Sequence, residues 1–156
     1  MTLFCDEVIK QANTMKEQDL HATWDLQRFW FTDETGAEMD PLGTNPVGNL
    51  ILGADGHYAF TMMRIDRTFY ESGDLLGGTL EEKGEAADGY VSFGGVWSFD
   101  GEGILFDITY SLFPNWVGGK QKRLASFSGD ELLLQTTGAI LMAGKTHRGA
   151  ARWRKI

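Results

Sequence analysis

The sequence predicts an all-β chain: an antiparallel up-and-down barrel of about eight strands, with an N-terminal helix and one short inserted helix. Three observations predict it. Short runs of alternating apolar and polar residues recur along the chain, separated by turn residues. Twenty glycines and 12 % aromatic residues stand against three prolines, a balance of Gly-rich turns and aromatic-rich strands. Trp24 near the start and Trp153-Arg154 at the end bracket these runs, as expected where the first and last strands meet and close the sheet.

A chain of 156 residues fits one domain, residues 1–156, divided into a helix over 1–19 and a barrel over 20–156. Thr2 is placed to cap the helix, in which Phe4, Val8, Ala12 and Met15 fall on one face. That stripe must cover something apolar, either the barrel wall or one of its ends. The first strand runs from Ala22 to Thr32. Strict alternation puts Trp24, Leu26, Arg28 and Trp30 on one face, and Thr23, Asp25, Gln27, Phe29 and Phe31 on the other.

Gly48–Ala54 and His57–Arg64 form a hairpin around Asp55-Gly56, a strong turn signal. In its second strand Tyr58, Phe60, Met62 and Arg64 share a face. A long connection follows, Ile65 to Gly78, carrying Arg67, Phe69 and Tyr70. Connections of this length in a compact domain are often binding lids. Thr79-Leu80-Glu81-Glu82 then reads as a capping box opening a short helix from Leu80 to Asp88. Val91–Ser98, Ile104–Leu112, Gln121–Ser128, Glu131–Thr136 and Thr146–Lys155 supply the remaining strands, with tight turns at Asp100-Gly101 and Gly129-Asp130. Eight strands closed on themselves leave room for one small ligand; a two-sheet sandwich has the same strand count.

Composition excludes several function classes. A net charge of −8 lacks the basic stripe that nucleic-acid phosphates require, and it repels an anionic membrane surface. No apolar stretch reaches membrane-spanning length and Met1–Lys10 has no secretory core, so a cytoplasmic location is expected. The single Cys5 rules out an internal disulfide and suits a reducing compartment. His21, His57 and His147 lack the paired spacing of a metal site, so neither metal nor cofactor is expected. The pairs Gly77-Gly78, Gly94-Gly95 and Gly118-Gly119 lack the Lys-Ser/Thr of a phosphate loop, and no serine sits in a nucleophile elbow.

What remains is polar groups set within apolar strands: Arg28, Arg64, Asp107, Tyr110 and Arg123. A charge on the inner face of a barrel must be paired or must face water or ligand. Parity aligns Arg123 with Ala125 and Phe127, Arg28 with Trp24 and Trp30, and Arg64 with Phe60 and Met62. If those faces are inner, guanidinium groups point inside, where they suit a carboxylate, enolate or phenolate; the other reading pairs them with acids or sets them at the mouth. The strand from Ile104 has an oilier face (Ile104, Phe106, Ile108, Tyr110) and a mixed one with Asp107, and its parity stays open.

These segments together resemble the lipocalin-like domain family of bacteria and fungi. The resemblance is carried by Leu20-His21-Ala22-Thr23-Trp24, Asn45-Pro46-Val47-Gly48, Met63-Arg64-Ile65-Asp66-Arg67 and Ser72-Gly73-Asp74-Leu75-Leu76-Gly77-Gly78-Thr79. It continues through Glu81-Glu82-Lys83, Asp88-Gly89-Tyr90 and, most specifically, Ser111-Leu112-Phe113-Pro114-Asn115-Trp116-Val117-Gly118, with Arg123 following and Trp153-Arg154 last. Ala22 departs from the glycine common before Thr-Trp. The resemblance implies a calycin-type barrel in which the early tryptophan closes one end and a late arginine packs near it. That moves the expected mouth toward the Ile65–Gly78 connection and the Phe113–Trp116 corner.

Two functions from different classes fit this container. The first is a cofactor-independent isomerase, cyclase or dehydratase of secondary metabolism, acting on a polyketide- or terpenoid-like substrate. Its catalytic set is Arg64, Asp107, Tyr110 and Arg123; its binding set is Arg28, Trp30, Tyr58, Phe60, Met62, Tyr90, Asn115 and Trp116. The alternative is a non-catalytic carrier for a small hydrophobic ligand with an acidic group, anchored by arginine. The only partner expected besides that small molecule is a second copy, since the Phe113–Trp116 aromatics suit either a pocket rim or a homodimer contact. Family likeness alone does not choose between these functions.

Overall fold

A computed structural model describes residues 15–156; the expected first helix, with Thr2, Phe4, Cys5, Val8 and Ala12, lies outside the described residues. A single helical turn, Glu17–Leu20, leads into ten strands: β1 (Ala22–Asp33), β2 (Glu38–Met39), β3 (Val47–Leu52), β4 (His57–Met63), β5 (Tyr90–Phe99), β6 (Gly103–Ser111), β7 (Lys120–Ser128), β8 (Glu131–Thr136), β9 (Ile140–Met142) and β10 (Lys145–Lys155). Eight of them form a closed antiparallel barrel in which β1, β3, β4, β5, β6, β7, β8 and β10 follow one another. Closure is the β1–β10 pairing, with Trp24 opposite Lys155 and Leu26 opposite Trp153. β2 and β9, absent from the sequence reading, are short ribbons added beside β1 and β10 at the far end. Among the described residues no helix is long and apolar enough to cross a membrane.

The helix Leu80–Asp88 forms where the capping box places it. Thr79 Oγ1 accepts from the Glu82 amide at 3.1 Å, and Glu82 Oε1 accepts from the Thr79 amide at 2.9 Å. Two free amides at the helix start are thereby satisfied. The Asp55-Gly56 turn also forms as expected, with Gly56 at φ +86°, a backbone region that glycine alone enters without strain.

The inner face beside the start of β1 and the end of β10 is filled with side chains. Trp24, Trp153, Leu50, Leu52, Ile104, Phe106 and Leu132 are all buried there. Trp24 stacks on Phe127 and its indole N–H donates to the Leu20 carbonyl at 3.0 Å. The residue packed over Trp24 is Lys155, 5.9 Å from the ring centroid. The late arginine expected there, Arg154, instead pairs outward with Glu131 at 2.9 Å.

Two bulges reset the alternation. The β1–β10 register slips between Leu26 and Arg28, so that Leu26 faces Trp153 while Arg28 faces Arg152. The β5–β6 register slips so that Gly94 faces Tyr110 while Gly95 faces Ile108. An extra residue in a ladder swaps inside for outside beyond it. The second bulge depends on Gly95, at φ +155°, where an added Cβ would run into the Asp107 carbonyl oxygen. Gly95→Ala is expected to destabilise the barrel by about 2 kcal/mol. Gly94→Ala, which meets only the half-exposed ring of Tyr110, should cost clearly less, and urea midpoints of the two variants compare them.

Candidate functional site

The barrel's open end holds a cavity of about 250 Å³. Its walls are Phe29 and Phe31 from β1, Phe60 and Met62 from β4, Val91 and Phe93 from β5, Leu134 from β8, and Ala150 and Ala151 from β10. Three covers close over it: Pro41-Leu42 before β3, the β9 triplet Ile140-Leu141-Met142, and Trp116 on the short 3-10 turn Pro114–Trp116. Trp116 is wedged edge-on between Phe93 and Phe113, at centroid distances of 5.4 and 5.5 Å.

Phe29 and Phe31 reach this space because of the first bulge. Trp24 and Leu26 point inward before it, and the odd-numbered aromatics do so after it. Arg28 and Trp30, expected on the inner face, therefore lie outside. Arg28 donates to Glu38 and Asp40, each at 2.9 Å, and its guanidinium lies 4.5 Å from the Trp30 ring centroid, with Arg152 at 5.4 Å.

Three of the four proposed catalytic groups, and two more of the binding set, also lie away from the cavity. Asp107 faces outward and pairs with Lys120 at 3.1 Å. Tyr110, beyond the second bulge, turns outward and its ring lies over Gly94. Arg64 follows the last residue of β4, so strand parity no longer directs it, and it pairs with Asp66 at 3.0 Å on the exterior. Tyr90 lies under Arg67 at 5.1 Å, and Asn115 is exposed on its turn; neither lines the cavity. The Ile65–Gly78 connection, expected as the lid, contributes no residue to the cavity either.

Four residues of the sequence-based set remain at the cavity: Phe60, Met62, Trp116 and Arg123. Tyr58 lies beneath them. It is buried against Phe106 at 4.7 Å and Phe93 at 6.0 Å, and its hydroxyl donates to the Asp107 carbonyl at 3.2 Å. Burial raises its pKa, so the phenol stays neutral.

Arg123 is the one cation among the described residues that line the cavity. It stands on β7 opposite Ile104 of β6 and Thr136 of β8, both inward positions. Its guanidinium donates to Gln121 Oε1 and, at 3.4 Å, to the Lys122 carbonyl. Among the described residues no carboxylate lies within ion-pair distance of it. Burial brings its pKa down to about 10, partly opposed by Tyr58, which leaves it charged at neutral pH.

Thr136 adds a second polar group. Its Oγ1 accepts from the Gly149 amide at 3.1 Å, so the hydroxyl hydrogen is free to donate to something else. The site thus combines an apolar chamber with a paired cation and hydroxyl on neighbouring strands, the usual make-up of a small-molecule pocket. Sequence reasoning missed Phe29, Phe31, Leu42, Leu134, Thr136 and the β9 triplet. A signal existed for the last of these, since Ile140-Leu141-Met142 is an apolar run set between Gly138 and Gly144.

A family model described as the lipocalin-like domain matches residues 21–156. One curated relative is the 4'-hydroxy-3'-methoxypropiophenone carrier protein of Aspergillus oryzae, 27 % identical over 103 residues, which cover 61 % of this chain and 93 % of the relative. No solved structure matches the chain.

Proposed function

We propose that this chain, which belongs to the lipocalin-like domain family, is a non-catalytic carrier of a small aromatic molecule that it holds by one acidic oxygen. The observation that carries this reading is Arg123: a partly buried guanidinium in an apolar chamber, with a glutamine and a carbonyl as its acceptors and, among the described residues, no carboxylate within ion-pair distance. Leaving a buried cation without a counter-charge costs several kcal/mol. A ligand phenolate or carboxylate supplies that counter-charge, with Thr136 donating to the same oxygen or its neighbour.

Volume narrows the ligand further. At about 250 Å³ the chamber falls just below the roughly 300–1,000 Å³ of pockets for drug-sized compounds. One aromatic ring with short substituents suits it better than a polycycle, retinoid or fatty acid. The relative's ligand, as its name states it, is a one-ring ketone with a phenolic hydroxyl. An enzyme that isomerises or cyclises needs an acid or base within reach of bound substrate. Asp107, Tyr110 and Arg64 point elsewhere, and the carboxylate that borders the cavity, Asp88, closes the helix Leu80–Asp88 at the rim.

The test is titration with 4'-hydroxy-3'-methoxypropiophenone, followed by tryptophan fluorescence, with chromatography of the compound afterwards. One-to-one binding and unchanged compound are expected. Conversion to a product, or equal affinity for the analogue whose phenol is methylated, overturns the proposal.

The pH dependence follows from the charges. Affinity should rise with pH as the phenol ionises, because Arg123 favours the anion. It should fall again as pH passes about 10, where Arg123 loses its proton. Calorimetry from neutral to alkaline pH reads both limbs, and a flat profile contradicts the anionic anchor.

A further inference from the structure

The motif Ser72–Thr79 has no part in the cavity, yet its connection is closely built. Glu82 Oε2 accepts from the Glu71 amide at 2.9 Å while Oε1 of the same carboxylate holds Thr79. Tyr70 packs flat against Gly78, where an added Cβ would strike its ring. The Asp74 carboxylate accepts from the Leu76 amide at 2.8 Å, Ser72 Oγ accepts from the Asp74 amide at 3.1 Å, and Gly77 closes a turn onto the Asp74 carbonyl. Arg67 ties the start of the connection to the Ala86 carbonyl at 3.3 Å.

All this order presents large apolar side chains to solvent. Phe69 is 93 % exposed, Leu75 89 %, Leu76 79 % and Leu80 90 %. Isolated exposed leucines are common, but three large apolar side chains on one hydrogen-bonded loop, with a fourth opening the helix it leads into, mark a contact surface. Holding the loop in place beforehand removes much of the ordering cost of association.

The charge around these residues selects the partner. Residues 65–88 contain seven carboxylates (Asp66, Glu71, Asp74, Glu81, Glu82, Glu85, Asp88) against two cations (Arg67, Lys83), a net −5 out of the chain's −8. A second copy would set −5 against −5, and an anionic bilayer would be repelled in the same way.

We infer that the Ile65–Leu80 connection is a docking surface for another protein, one whose apolar groove is rimmed by lysines and arginines. Phe69, Leu75 and Leu76 fill the groove, and Glu71, Asp74 and Glu81 meet its rim. The inference is independent of what the barrel carries.

The test replaces Phe69 with a photo-crosslinking phenylalanine in the full chain, expressed in its own host, and maps the crosslinked peptide by mass spectrometry. The protein so identified is then purified and titrated with wild type and with the double variant Leu75→Ser, Leu76→Ser. Three results are expected together: a crosslinked peptide with basic residues beside apolar ones, affinity that falls with added salt, and a loss of at least ~10-fold in the double variant. Because both leucines are exposed, the variant should keep the wild-type melting temperature, which separates lost docking from lost fold. Crosslinks to a second copy, to lipid or to no macromolecule overturn the inference. So do an acidic contact surface on the partner and co-sedimentation with phosphatidylcholine vesicles.

Discussion

Arg123→Met is expected to yield a folded barrel that binds the phenolic ketone about 100-fold more weakly than wild type. A hydrogen bond to a charged group contributes about 1.5–3 kcal/mol, which corresponds to roughly 10–150-fold in affinity. The upper part of that range applies because the bond forms in a chamber lined mainly by Phe, Leu, Met and Ala side chains, where water screens little. Methionine fills most of the vacated volume and removes a cation that no carboxylate of the described residues neutralises, so the melting temperature should hold or rise. Those two opposite signs distinguish a ligand anchor from a structural arginine, whose loss would lower both. Arg123→Lys should recover part of the affinity, since the charge remains while the two-pronged geometry is lost. Thr136→Val, which removes one neutral donor worth about 1 kcal/mol, should cost roughly fivefold. Equal binding by wild type and Arg123→Met would remove the basis of the carrier reading.

What could be read from the sequence depended on whether a strand kept its alternation. β4 and β7 show no break in register against their neighbours, and parity alone put Phe60, Met62 and Arg123 on the faces they occupy. β1 and β6 each take a bulge, and there alternation grouped Arg28 and Trp30 with the inward Trp24 and Leu26, and Tyr110 with the inward Ile104, Phe106 and Ile108, although all three turn outward. Nothing in Leu26-Gln27-Arg28 announces the first bulge. It arises from the way β1 meets β10 across the closure, a contact between residues more than a hundred positions apart.

The second bulge was signalled by Gly94-Gly95, but the pair alone does not tell that Tyr110 leaves the face of Ile104, Phe106 and Ile108. The covers over the cavity were harder still. Leu42 and the β9 triplet come from connecting segments, whose side-chain directions carry no period to read. The capping box at Thr79, by contrast, is a local interaction between residues three apart, and the helix appears where it was expected.

Replacing Trp24 by alanine is expected to cost about 3–5 kcal/mol, and for a chain of this size that lowers the melting temperature by on the order of 10 °C. The informative comparison is with phenylalanine at the two equally buried tryptophans. Trp24→Phe removes the donor that satisfies the Leu20 carbonyl, a loss of about 1–3 kcal/mol beyond the change in packing. Trp153 is fully buried, yet its indole N–H has no hydrogen-bond partner among the described residues. Trp153→Phe therefore deletes a polar atom that gains nothing in the fold, and the cost of lost volume is partly offset; a net change within about 1 kcal/mol is expected.

Trp153→Ala differs in kind, because that ring stands edge-on to Phe60 at 5.1 Å, and Phe60 is part of the cavity floor. Truncation there should let Phe60 sink and deepen the chamber, so the variant, though less stable, should accept a two-ring phenol that wild type rejects. Thermal melts and competition binding measure the two effects separately. The aromatic plug around Trp24 and Trp153 does more than close the barrel: Trp153, Phe60, Phe93 and Phe106 set how much room is left above them, and so the size of ligand that the guanidinium of Arg123 can meet.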